Sequence, residues 1–235
     1  MGNQVARDTF DHVAADNSAA VRLSENALKV TRYFPTLVFS LDIPDSDSLN
    51  THLIEAIYAE RERDKSGVNK SNFPELGSWH SHVRLHKDAT FVGLVQHVDS
   101  VSAMMCRKLG YHTSYRLKIG TMWSIINPPG SSNRAHIHPG CIWSGVYYVQ
   151  APRNSGRIEF IDPRTQNMMT QVEYIPGTRR PRNCWTKVRY KPAAGRMLVF
   201  PSWLYHSVAP NRSSAEGKDA DRIIVSFNLS QEKCK

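Results

Sequence analysis

The stretch NRAHIHPGCIWSGVYYV, residues 133–149, places two histidines one residue apart, just before an apolar and aromatic-rich segment. Side chains alternate between the two faces of a β-strand, so an extended chain projects His136 and His138 to the same side. Two imidazoles about 6–7 Å apart along such a chain can both reach one metal ion. Pairs of this kind also occur on exposed loops, so the pair alone leaves metal binding and surface exposure open.

The segments that follow Gly110 predict a β-rich C-terminal half. They are short, rich in β-branched or aromatic residues, and close on Pro, Gly or Asn. These segments are residues 114–127, 141–152, 156–163, 171–176, 185–192, 195–203, 206–210 and 221–230. Short strands in succession are typical of an antiparallel sandwich or barrel.

The N-terminal half predicts one strand and two helices. Residues 33–43 are rich in β-formers, apolar residues at helical spacing predict a helix over 47–64, and residues 89–110 predict a second helix that stops at Gly110. Residues 64–86 are turn-rich and predict a long loop.

No linker separates the two halves, so residues 31–235 are expected to form a single domain. Within it, residues 31–110 would be a helical support layer and residues 111–230 the β core. Residues 1–30 are polar and lack a clear period, which indicates a loosely ordered leader.

The composition, 40% hydrophobic and 22% charged, is that of a soluble globular protein. There is no run of eighteen apolar residues, no apolar signal segment, and Ala6 breaks the myristoylation pattern. The four cysteines form no CxxC pair. We therefore expect a cytoplasmic protein with reduced thiols and no membrane partner, and a homo-oligomer stays open.

The net charge is +9, and much of it lies in residues 177–191. Such a segment fits a nucleic acid, an anionic ligand or simply a solvated basic loop. No nucleic-acid motif accompanies it, so we favour the solvated loop and do not expect a nucleic-acid partner.

A second feature supports a metal site. The stretch GRMLVFPSWLYHSVAPN, residues 195–211, ends a predicted strand at a proline, turns, and presents His206. A double-stranded β-helix brings a late strand of this kind beside the strand that carries the histidine pair. Three ligands on one side of a metal leave the opposite positions open, as in non-haem Fe(II) oxygenases.

The third feature is the alternation in DRIIVSFN, residues 221–228. A two-residue period puts Arg222, Ile224, Ser226 and Asn228 on one face and wholly apolar residues on the other. An Arg inside a barrel is costly unless an anion pairs with it, and its guanidinium suits a carboxylate. The alternative is a rim Arg that pairs with Asp219 or Asp221.

Residues 115–230 resemble a family of 2-oxoglutarate/Fe(II) oxygenases. The resemblance rests on HIHPGCIWSGVYYVQAP, GRIEFIDPR, GRMLVFPSWLYHSV and RIIVSFN, in this order. It implies a mainly β, jelly-roll double-stranded β-helix with Fe(II), 2-oxoglutarate and O2 as cofactors. It also implies that His136 and His206 bind Fe(II) with a third ligand, and that Arg222 pairs with 2-oxoglutarate.

The third ligand departs from the wider superfamily, which has a carboxylate where this chain has His138. Either His138 is a ligand, or Asp162 or Glu159 supplies a carboxylate. We favour His136, His138 and His206, and expect Asp162 to form an Asp-Pro turn.

Further residues are expected around the site, although core packing is the alternative for many of them. The predicted co-substrate residues are Arg222, Ser226, Tyr148, Asn127 and Ser144, and the predicted substrate residues are Trp123, Tyr147, Trp203 and Asn228. The loops 64–86 and 164–191 would shape the substrate pocket. A small carboxylate-bearing substrate is preferred, because the second loop contains Arg164, Arg179, Arg180, Arg182 and Lys187.

Three functions follow from these features. The first is an Fe(II)/2-oxoglutarate dioxygenase that hydroxylates, or otherwise oxidises, a small polar metabolite such as an amino acid. The second is a cupin-like dioxygenase or isomerase with three histidines and no 2-oxoglutarate. The third is a metal-free β-sandwich binding module. The role of Arg222 separates the first from the second, and metal content separates both from the third.

Overall fold

The computed structural model describes residues 29, 31, 33–169, 172–178 and 180–234. The leader predicted for residues 1–30 lies outside the described residues, Lys29 excepted. The pattern of residue contacts divides the chain into two units, residues 1–35 and residues 36–235. All helices and strands named below belong to the second unit. The single domain predicted for residues 31–235 stays a prediction.

Two α-helices and ten β-strands lie within the described part of the chain. The helices are α1 (Asp47–Arg63) and α2 (Val92–Leu109). The strands are β1 (Phe39–Asp42), β2 (Trp79–His80), β3 (Tyr115–Asn127), β4 (Asn133–His136), β5 (Trp143–Gln150), β6 (Ile158–Ile161), β7 (Lys187–Tyr190), β8 (Arg196–Pro201), β9 (His206–Val208) and β10 (Arg222–Lys233).

The strands form two antiparallel sheets, a six-stranded sheet in the order β1-β8-β5-β10-β3-β2 and a four-stranded sheet in the order β4-β9-β6-β7. Apolar residues from both sheets pack into one cluster between them, and this cluster includes Val146, Phe160, Leu198 and Ile224. The mainly β, jelly-roll fold predicted from the sequence is confirmed.

The two faces of β10 differ as the alternation predicts. Ile223, Val225 and Phe227 are fully buried in the larger core, together with Leu53 of α1 and Leu94 of α2. This apolar face therefore anchors the helical layer on the six-stranded sheet. The other face turns toward the four-stranded sheet and holds the polar residues of the strand.

Gly145 of β5 stands where a side chain would not fit. It pairs with Phe227 across β5 and β10, and a Cβ at this position would overlap the Phe227 ring. The glycine therefore makes room for a buried aromatic ring beneath the sheet.

Two predicted elements differ from the structure. The strand predicted over residues 171–176 is wrong, because residues 172–176 form no strand and the side chains of Val172 and Ile175 are exposed. A strand needs a neighbour to satisfy its backbone, and β7 pairs with β6 instead. The N-terminal strand is shorter than predicted, since β1 covers only Phe39–Asp42 of residues 33–43.

The predicted helices are confirmed with small changes at their ends. A 3-10 turn over Ala89–Phe91 precedes α2, and Gly110 ends α2 with a φ of 67°. The left-handed conformation at this position favours glycine. The residues predicted as one loop, 64–86, contain short 3-10 turns and β2. In the described part of the chain, no helix has the length and apolar character needed to cross a membrane.

Candidate metal centre and adjoining cavity

Three histidines converge where β4 and β9 meet. His136 and His206 are register partners, and their ring centroids lie 4.3 Å apart. His138 follows β4, and its backbone N–H donates to the Ser202 carbonyl at 2.9 Å. One candidate ligand atom from each of the three residues lies within 4.8 Å of the others. The structure thus brings together the three histidines that the sequence singled out.

Each imidazole is oriented by an acceptor at its Nδ1. His136 Nδ1 lies 2.7 Å from the Arg134 carbonyl, His206 Nδ1 lies 2.8 Å from the Leu204 carbonyl, and His138 Nδ1 lies 2.9 Å from Asn228 Oδ1. Because these oxygens only accept, Nδ1 carries the proton and Nε2 keeps its lone pair. Histidines that ligate a metal through one ring nitrogen commonly donate the N–H of the other nitrogen to such an oxygen.

The buried His138 Nε2 has no hydrogen-bond partner among the described residues. An unsatisfied buried nitrogen is costly, and a metal ion would satisfy it. The structure therefore fits a metal at this point on the chemistry of its donor atoms alone.

Burial keeps two of these imidazoles neutral. It lowers the pKa of His206 to about 3, and the neighbouring His136 and His138 add to this effect. Burial also lowers the pKa of His138, again helped by His136. A neutral imidazole is the form that binds a metal ion, so the site is prepared for a cation at neutral pH.

A cavity of about 480 Å³ adjoins the three histidines, within the size range of small-molecule sites. Lining residues from neighbouring strands of the six-stranded sheet are cross-strand partners on the face that borders the cavity. Ser226 of β10 pairs with Trp123 of β3, and Arg222 pairs with Asn127. Of the predicted co-substrate residues, Arg222, Ser226, Tyr148 and Asn127 line this cavity.

Arg222 is fully buried at this cavity, with 0% exposure. Its guanidinium donates to the carbonyls of Ser155 and Ala209, and to Asn133 Oδ1 at 3.4 Å. Its Nε has no hydrogen-bond partner among the described residues. The cation is therefore held only by neutral oxygens in the described chain, and burial lowers its pKa to about 10.

The alternative of a rim Arg222 paired with Asp219 or Asp221 does not agree with this position. Asp221 accepts a hydrogen bond of 2.7 Å from the Tyr58 hydroxyl on α1. Asp219 lies in the 3-10 turn Gly217–Ala220 that precedes β10. The buried guanidinium instead faces a cavity that a small anion could enter.

Asn228 orients His138 and is not free to bind a substrate through its amide oxygen. Its Oδ1 accepts from the Ser144 hydroxyl at 2.8 Å as well as lying against His138, and its Nδ2 donates to Thr121 Oγ1 at 3.0 Å. Thr121 and Ser144 are the register partners of Asn228 on β3 and β5. Ser144, predicted to contact the co-substrate, therefore supports Asn228 instead.

Four other predicted residues lie away from the cavity. Tyr147 faces the helical layer, where its hydroxyl donates to Asn50 Oδ1 of α1 at 2.6 Å. Trp203 is 54% exposed and does not line the cavity. Asp162 accepts hydrogen bonds from the backbone and the guanidinium of Arg164 at 2.9–3.0 Å. Glu159 is bound by Lys187 and Arg189.

The two loops predicted to shape the substrate pocket differ in the structure. The described residues of loop 164–191 do not line the cavity, whereas loop 64–86 contributes Lys70, Ser71, Asn72 and His80. Sequence reasoning also missed Arg134, which precedes the histidine pair by two residues. Its position beside His136 was the only signal that could have identified it.

The Trp123 ring lies between His138 of the metal centre and His80. Its ring stacks on His138 with centroids 5.7 Å apart, and on His80 with centroids 5.9 Å apart. Burial lowers the pKa of His80, so this ring is also neutral. The three rings form one aromatic wall of the cavity.

Comparisons with known proteins agree with this geometry. The profile of the family described as "Putative 2OG-Fe(II) oxygenase" matches residues 121–228, which include the three histidines, Arg222 and Asn228. No curated protein matches the chain.

Solved structures share the fold at low sequence identity. A prolyl-4-hydroxylase from Pseudomonas putida is 14% identical over 85% of this chain and 94% of its own, with a TM-score of 0.50. A prolyl hydroxylase from Trichoplax adhaerens, in complex with a hypoxia-inducible-factor peptide, is 15% identical over 82% and 83%, with a TM-score of 0.52. The epimerase SnoN, in complex with Fe3+, α-ketoglutarate and nogalamycin RO, is 12% identical over 85% and 82%, with a TM-score of 0.53. These likenesses show a common double-stranded β-helix fold.

Proposed function

We propose that the chain is a 2OG-Fe(II) oxygenase, like the family whose model matches its residues 121–228, and that it oxidises an unactivated C–H bond of a small polar metabolite. Hydroxylation is the expected outcome, and an amino acid or an amino-acid derivative is the expected type of substrate. Enzymes of this family use Fe(II), 2-oxoglutarate and O2.

His136, His138 and His206 are proposed to hold the iron. The observation that carries this assignment is that each Nδ1 is bound to a fixed oxygen while the Nε2 atoms stay available, His138 Nε2 being buried without a partner in the described chain. Three neutral ligands leave the dipositive charge of the iron uncompensated, which favours a dianionic co-substrate.

Arg222 is proposed to bind the C5 carboxylate of 2-oxoglutarate. It is a buried cation that meets only neutral oxygens in the described chain and faces the cavity. Asn127 lies beside it as its register partner, and its amide donates to Asn133 Oδ1 at 3.0 Å. This bond fixes the oxygen that also receives a guanidinium N–H.

Iron bound at the three histidines would supply O2 activation coupled to the oxidative decarboxylation of 2-oxoglutarate. The chain supplies position and environment. The hydrogen bonds at Nδ1 hold the imidazoles in place, and Arg222 would fix the C5 carboxylate of the co-substrate. Apolar residues such as Val146, Phe200 and Ile224 limit the water around the site.

The test is succinate release from protein loaded anaerobically with Fe(II), then given 2-oxoglutarate, O2 and a panel of free and acylated amino acids. We expect at least one substrate to raise succinate release and to gain an oxygen atom by mass spectrometry. Protein that binds iron but neither binds nor decarboxylates 2-oxoglutarate would contradict the proposal and would favour the three-histidine cupin alternative.

A further inference from the structure

The lining of the cavity is strongly biased toward positive charge. It includes Lys70, Arg134 and Arg222, and no Asp or Glu side chain is found among the lining residues that the structure describes. The iron would add two more positive charges. Because no charged acceptor lines the cavity in the described chain, its ligands have to supply the negative charge.

The three cations differ in how they are already paired. Arg222 is buried and proposed for the co-substrate. Lys70 is bound to Asp64 at 3.0 Å and is about half exposed. The exposed Arg134 has no hydrogen bond or ion pair from its guanidinium to the rest of the described chain. Arg134 is therefore the cation that is still available when 2-oxoglutarate is bound.

Arg134 is also fixed next to the metal centre. It lies on β4 two residues before His136, and its carbonyl accepts from His136 Nδ1 at 2.7 Å. Its side chain lines the same cavity as the Trp123 ring, which stacks on His138. A molecule paired with Arg134 can thus rest its carbon skeleton on Trp123 and bring a C–H bond toward the iron.

We propose that the substrate carries an anionic group, a carboxylate or a phosphate, that pairs with Arg134 while its carbon skeleton packs against Trp123. The proposal rests on the proposed function and deepens it. Fe(II) and Arg222 together carry three positive charges against the two negative charges of 2-oxoglutarate, so the co-substrate leaves no negative charge for Arg134. A guanidinium binds both carboxylate and phosphate with two parallel hydrogen bonds, which gives orientation as well as affinity.

The experiment compares matched probes that differ in charge. Calorimetric titration of the metal-loaded protein, with and without saturating 2-oxoglutarate, uses N-acetylleucine, its neutral amide N-acetylleucinamide, and sn-glycerol 3-phosphate. The variants are Arg134→Gln and, as a control with the same loss of charge, Arg164→Gln. Arg164 pairs with Asp162 and does not line the cavity.

We expect the wild-type protein to bind at least one anionic probe about ten-fold or more tightly than the amide, in the presence of 2-oxoglutarate. Arg134→Gln should bring the two affinities within about two-fold of each other, and Arg164→Gln should keep the preference. The carboxylate and phosphate arms decide which anion the site prefers.

Three results would overturn the inference: no preference for either anion in the wild type, a preference that survives in Arg134→Gln, or anionic probes that bind only by displacing 2-oxoglutarate. Failure of the proposed function is recognised separately. In that case 2-oxoglutarate itself does not bind to the iron-loaded protein, while the anion preference and its loss in Arg134→Gln can still be measured in its absence.

Discussion

His138 Nδ1 lies 2.9 Å from Asn228 Oδ1, so a residue on the last strand of the fold holds a candidate ligand that follows β4. The amide is itself fixed from both sides, by Ser144 on β5 and Thr121 on β3. The orientation of His138 therefore depends on three adjacent strands of the six-stranded sheet and not on its own loop alone.

Asn228→Ala is expected to weaken iron binding by about ten- to a hundred-fold, because His138 loses the acceptor that fixes its Nδ1 proton and its ring orientation. Iron titration by absorption or calorimetry measures this change. Thr121→Val is the graded comparison, since it removes only the contact behind Asn228 and should have a smaller effect. Unchanged affinity in Asn228→Ala would show that the ring is held by packing alone.

His136→Ala and His206→Ala are each expected to lose iron and activity together, since each removes one of three ligands. Metal analysis after anaerobic reconstitution gives the iron-to-protein ratio. His97→Ala, at an exposed position of α2, is the matched control and should keep the wild-type ratio. Stoichiometric iron in both ligand variants would refute the three-histidine assignment.

Asp162→Asn is expected to keep near-normal iron content, because Asp162 is bound by Arg164 and the proposed iron ligands are three histidines. The same metal analysis tests it, beside His138→Ala, which should lose iron. If Asp162→Asn loses iron while His138→Ala stays metallated, the third ligand is a carboxylate and the usual triad applies.

Arg222→Lys is expected to raise the KM for 2-oxoglutarate by about ten-fold or more, which corresponds to losing about 1.4 kcal/mol of charge-assisted hydrogen bonding. The lysine keeps the charge but not the planar, two-pronged geometry of the guanidinium. Iron content should not change. Wild-type affinity for 2-oxoglutarate in this variant would remove the co-substrate assignment and favour the cupin alternative.

The alternation of β10, with one wholly apolar face, predicted that Arg222 lies inside the protein, with a rim position as the alternative, and the structure buries it fully. The same parity rule applied to β5 separates Tyr148, which lines the cavity, from Tyr147, which packs on α1. Predicting both tyrosines for the pocket was wrong for this geometric reason. Parity on a paired strand is thus informative wherever one face is known.

Partners across the fold could not be predicted from the sequence. The role of Asn228 depends on the register that sets Thr121 and Ser144 beside it, and register is a tertiary property. Loop 64–86 was expected to shape the pocket, but which of its residues line the cavity, such as Lys70 and His80, could not be predicted because the segment has no clear period. The exposed residues 172–176 look like a strand in composition, but β-propensity without a pairing partner forms none.

The register of β10 also has a consequence for molecular length. Arg222 and Asn228 occupy the same face of one strand, six residues apart, so about 20 Å of backbone separates their Cα atoms. Hydrogen bonds to β3 and β5 on either side keep this strand from stretching or contracting. Because Asn228 orients the proposed ligand His138, the strand sets the distance between the proposed iron site and the Arg222 guanidinium. We expect oxaloacetate, one carbon shorter, and 2-oxoadipate, one carbon longer, to replace 2-oxoglutarate poorly. The measurement is the rate of oxidative decarboxylation, followed as malonate, succinate or glutarate release, and equal rates for all three acids would contradict this expectation.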